Sequence, residues 1–66
     1  MITEIGIVAG EIWHYLDAHG EVLLSQMVKR IDKPRDLILM SLGWLAREGH
    51  VLLICVDGSY KIALRK

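Results

Sequence analysis

The dipeptide Asp57-Gly58 constrains this chain more than any other feature. Both residues tolerate positive φ, which the tight two-residue turn between paired strands requires. The flanking runs suit strands: Val51 to Val56 is apolar and rich in β-branched residues, and Ser59 to Arg65 alternates. A two-residue turn places Val56 opposite Ser59, Ile54 opposite Lys61 and Leu52 opposite Ala63. With a side-chain period of two, Val51, Leu53, Cys55, Tyr60, Ile62 and Leu64 share one face, which reads as the core face. Leu52, Ile54 and Val56 fall on the outer face, where a solvated hairpin normally carries polar residues.

Most of the chain before the hairpin has helical spacing or helix punctuation. Ile5, Val8, Ile12 and Leu16 form one buried stripe, with Thr3 as the expected N-cap and Gly20 as the stop. Gly6 and Gly10 share a face with Trp13. Interior glycines each cost a helix about 1 kcal/mol, so a pair on one stripe implies a close neighbour or room for a bulky ring. That neighbour is either another helix of the same chain or a second subunit. Glu21 to Leu24 suits a very short edge strand, placed near residues 22–24. Ser25 is the expected cap of a second helix through Gln26, Met27, Val28 and Ile31. Asp32-Lys33-Pro34 then stops one helix and starts another, which runs from about Pro34 to Glu48 and ends at Gly49.

Helix, short strand, helix, tight turn, helix and hairpin together make the winged helix-turn-helix plan, an α+β fold whose wing is the C-terminal hairpin. The segments Ala9-Gly10-Glu11-Ile12-Trp13 and Gly43-Trp44-Leu45-Ala46-Arg47-Glu48 resemble the A-G-x-I-W and G-W-L-A-R-E signatures of small, stand-alone prokaryotic winged helix-turn-helix proteins. The resemblance covers almost the whole chain. It implies that fold and, by analogy of fold, an expectation of DNA binding.

Sixty-six residues are read as a single domain over 1–66, and such a chain buries only about 60% of its unfolded surface. Yet 53% of the residues are apolar, so some must lie on the surface or against a partner. Disorder is excluded by the low net charge and the abundance of Leu, Ile and Val. The longest nearly unbroken apolar run, Leu37 to Ala46, falls short of the roughly 18 residues a membrane span needs. The N-terminus carries Glu4 and no early Lys or Arg, unlike a secretory signal. One cysteine excludes an internal disulfide, and with the previous feature it points to the cytoplasm.

The third helix decides between DNA and protein as a partner. Ile38, Leu42 and Leu45 cluster on one side and should face the core. Leu39, Met40, Gly43, Trp44 and Arg47 lie mostly off that stripe, at positions where DNA-binding relatives present polar side chains to base edges. Four of these five cannot make a bidentate hydrogen bond to any base. Trp13, Leu39, Met40, Trp44 and Ile54 are therefore the expected contacts of a homodimer or protein partner.

The alternative partner is duplex DNA, held weakly and without base readout. The net charge of zero conceals −4 over residues 1–28 and +4 over residues 29–66. Lys29, Arg30, Lys33 and Arg35 crowd the turn between the second and third helices, and Lys61 lies on the last strand. These five are the candidate phosphate contacts. Catalytic, cofactor and metal sites are not expected. His14, His19 and His50 lack metal-ligand spacing, no glycine-rich phosphate loop exists, and Cys55 is expected as a packed, inert thiol.

Overall fold

The computed structural model describes residues 1–65. The elements run α1 (Ile2–His19), β1 (Val22–Leu23), α2 (Leu24–Arg30), α3 (Arg35–Arg47), β2 (Val51–Val56) and β3 (Ser59–Leu64). The strands form one antiparallel sheet in the order β1-β3-β2, so the last strand is central. Its register agrees with that imposed by the turn: Val56 faces Ser59, Ile54 faces Lys61 and Leu52 faces Ala63. Asp57 and Gly58 both have positive φ, 49° and 77°. On its other side β3 pairs with the predicted short strand, Val22 facing Ile62 and Leu23 facing Lys61.

The core gathers one stripe from each helix. Val8, Ala9, Ile12 and Leu16 of α1 meet Ile38, Leu42 and Leu45 of α3, and Met27, Ile31, Val22, Val51 and Ile62 close the cluster. Ile5 is half-buried at the end of the α1 stripe. Ser41 is the one buried polar residue among those described, and its Oγ has no hydrogen-bond partner. An enclosed hydroxyl without a partner forfeits its hydration for nothing in return. Ser41→Ala is therefore expected to stabilise the fold by about 1 kcal/mol. Urea unfolding checks this; a lowered midpoint would mean that the hydroxyl is engaged.

The helix ends differ from the sequence reading. Thr3 lies inside the first turn of α1, and Met1 is the N-cap. Ser25 likewise lies within α2, whose N-cap is Leu23; the Leu23 N–H donates to the Gln26 side-chain oxygen at 3.1 Å. Pro34, rather than Asp32, caps α3. In each case the N-cap lies two residues from the expected one; pairing of β1 through Leu23 sets the entry of α2, and the fixed φ of Pro34 sets that of α3. The end of α3 is as expected. Gly49 takes a φ of 78°, its N–H donates to the Ala46 carbonyl, and the His50 N–H donates to the Leu45 carbonyl. That pair of bonds satisfies carbonyls the helix end would otherwise orphan.

The hairpin face assigned to the core is only half covered. Val51 and Ile62 are buried and Leu64 is half-buried, but Leu53, Cys55 and Tyr60 are exposed. Only the root of the wing is closely packed: β1 reaches just Ile62 and Lys61, and nearer the tip Leu53 and Tyr60 face α2 and α3 across open grooves. Cys55 is thus an exposed thiol rather than a packed one.

Candidate functional site

The surface that carries the fold's unspent chemistry is the outer side of α3 with the wing beside it. Packing the Ile38, Leu42 and Leu45 stripe against α1 and the sheet turns Met40, Gly43, Trp44 and Arg47 outward. Met40 is 43% exposed and Trp44 47% exposed. Leu39 is half-buried, because it leans toward the wing.

Two apolar troughs flank α3. On one side, Gly6, Gly10 and Trp13 of α1 face Trp44, Leu45 and His50 across a shallow cleft. The Trp44 and His50 rings are 6.5 Å apart between centroids. A Cβ built on Gly6 or Gly10 would meet nothing within 4 Å. The α3 side of the cleft belongs to this chain, so a same-chain helix does flank these glycines, but without the close backbone contact expected from the sequence; Gly10 is half-buried and Gly6 exposed. On the other side, Leu39 and Gly43 face Leu53, Tyr60 and Ile62 of the wing. The outer face of the hairpin adds Leu52, Ile54 and Val56, each exposed.

Sequence reasoning found Trp13, Met40, Trp44 and Ile54 as exposed apolar groups and missed Leu53 and Tyr60. The signal for these two was present in β2 itself. A strand with apolar residues on both faces and no charge does not describe a hairpin with one buried side.

The basic residues do not form one patch. Lys33 Nζ lies 3.7 Å from Glu11 Oε1, and Lys61 Nζ lies 3.6 Å from Glu21 Oε1. Both pairs are solvent-exposed, so they add little stability, yet they hold two candidate phosphate contacts beside carboxylates. Lys29 and Arg35 instead line a groove with Ser59 and Tyr60 near the wing tip. Arg30 faces away from it, beside Tyr15 and His19. Among the described residues, no three His, Cys, Asp or Glu side chains converge as a metal site would need. No described helix is long and apolar enough to cross a membrane.

Comparison with known proteins agrees with this architecture. An uncharacterized protein of Methanocaldococcus jannaschii, MJ1608, is 37% identical over 68 aligned positions, covering 98% of this chain and 96% of that protein. The solution NMR structure of protein BT2368 from Bacteroides thetaiotaomicron superimposes with a TM-score of 0.83 at 24% identity, over 94% of this chain and 76% of that one; the likeness is one of fold. Residues 1–64 match the model of the winged helix-turn-helix domain DUF2582. The chain belongs to that family.

Proposed function

We propose that this winged helix-turn-helix protein is a non-catalytic protein-binding module that works as a homodimer in a transcription-related setting. The observation that carries the reading is the exterior of α3: Met40 and Trp44, at the centre of the helix that would read bases, are large, apolar and exposed. Neither offers the paired donors or acceptors that distinguish base pairs in the major groove. Both are suited to a protein contact, Met through its adaptable thioether and Trp through contact area at little entropic cost. Trp13, Leu39 and Ile54 extend the apolar area to either side. Sedimentation at micromolar concentration tests it. The expected species has twice the mass of the 7.5 kDa chain, and a monomer throughout would remove the homodimer.

A second reading keeps DNA as the partner, favoured by Lys29 and Arg35 lining one groove beside the wing tip. Two such cations fit phosphates rather than bases, so binding would be insensitive to sequence and sensitive to salt. Titration of generic duplex DNA at two salt concentrations separates the readings. With two phosphates neutralised, affinity should fall by roughly tenfold between 50 and 200 mM salt. The homodimer reading expects no salt-sensitive DNA binding in the micromolar range.

A further inference from the structure

Strand β2 is one edge of the sheet, since β3 lies between it and β1. Its six residues, Val51 to Val56, include no charge, no proline and no bulge. These are the devices that normally keep an edge from pairing. In an antiparallel ladder, alternate residues direct their backbone groups to the neighbouring strand and the others direct theirs away. The Arg65 N–H donates to the His50 carbonyl at 3.0 Å, so even-numbered residues of β2 face β3. Val51, Leu53 and Cys55 therefore present their N–H and C=O groups to the open edge.

We infer that the homodimer is sealed by β2 pairing antiparallel with the partner's β2, about a two-fold axis at Leu53. This rests on the self-association proposed above. A strand edge is complementary to its own two-fold copy, and the register is narrowly set. The axis must stand perpendicular to the sheet, so odd residues oppose odd residues. Only one register pairs all three free residues of both strands: Leu53 with the partner's Leu53, Val51 with the partner's Cys55, and Cys55 with the partner's Val51. The charges agree with it. Asp57, the one charge at the turn, falls opposite the partner's Gly49. In each subunit the Arg65 guanidinium lies 3.9 Å from the point a Cβ on Gly49 would occupy. Val56 then falls opposite the partner's His50, at the rim of the cleft holding Trp13 and Trp44.

Amide hydrogen exchange of the intact protein, dilute and concentrated, tests the seam alongside sedimentation. In the dimer, the Leu53 and Cys55 amides should exchange at least about tenfold more slowly than in the dilute monomer. Leu53→Pro removes a donor the hairpin ladder does not use, so a folded protein with its dimer weakened about thirtyfold or more is expected. Leu53→Cys combined with Cys55→Ser should cross-link under oxidation, its two sulfur-bearing residues facing each other with Cα atoms about 5.5 Å apart. Wild-type Cys55 should not, since four residues at about 3.4 Å per residue separate it from the partner's Cys55 along the seam. A dimer with freely exchanging Leu53 and Cys55 amides overturns this seam and leaves self-association standing. A wild-type cross-link through Cys55 overturns the register. A monomer at every concentration overturns both the seam and the reading beneath it.

Discussion

Trp44→Glu is expected to yield a folded monomer. The ring is 47% exposed within its own subunit, so its loss removes little from the core. A carboxylate in its place must shed hydration to enter an apolar contact, which a dimer of this size does not offset. Central aromatic anchors typically contribute 2 kcal/mol or more when truncated, about thirtyfold in affinity. Sedimentation velocity would show half the mass, while circular dichroism keeps the wild-type spectrum and the melting point moves by only a few degrees. Lys29→Glu serves as the control: it also replaces a surface residue with Glu, away from Trp44, and should leave the dimer intact. An unfolded Trp44→Glu protein would place the ring in the core instead.

Ile38→Ala should have the opposite signature. Ile38 is fully buried where α3 meets the α1 stripe. Removing its outer carbons costs about 2–5 kcal/mol, depending on how far the neighbours collapse into the gap. A domain of this length has only about 3–10 kcal/mol in total, so the variant stands near its unfolding threshold. At about 4–8 °C per kcal/mol, thermal melts should shift down by some 10 °C or more. Ile38→Val, with one carbon less, should cost about 1 kcal/mol. A loss no larger for Ala than for Val would show that α3 does not depend on this contact.

One side of α3 is buried in the core and the other stays exposed. That division was legible in the spacing of Ile38, Leu42 and Leu45 alone. The wing register was legible too, because Asp57-Gly58 admits few geometries and strand side chains alternate strictly. Coverage was less legible. Alternation says which residues share a face, but how far a neighbouring element reaches over that face is a tertiary fact. Leu53, Cys55 and Tyr60 were assigned inward and lie exposed for that reason. The pairing of Lys33 with Glu11 and of Lys61 with Glu21 also joins residues far apart in sequence. The three helix N-caps were each misplaced by two residues because Thr3, Ser25 and Asp32 have suitable side chains but not the backbone position. For Gly6 and Gly10, the sequence implied a close neighbour or room for a bulky ring, and the cleft they line holds Trp13 and Trp44 with no atom close to either glycine.

The two rungs joining β1 to β3 have a mechanical consequence. Val22 and Leu23 lead directly into α2 and are stitched to Ile62 and Lys61 on the strand that runs to the wing tip. The first turn of α2 is thereby anchored to the central strand of the sheet, so a change that frays those two rungs at Val22 or Ile62 should loosen the start of the helix together with the root of the wing.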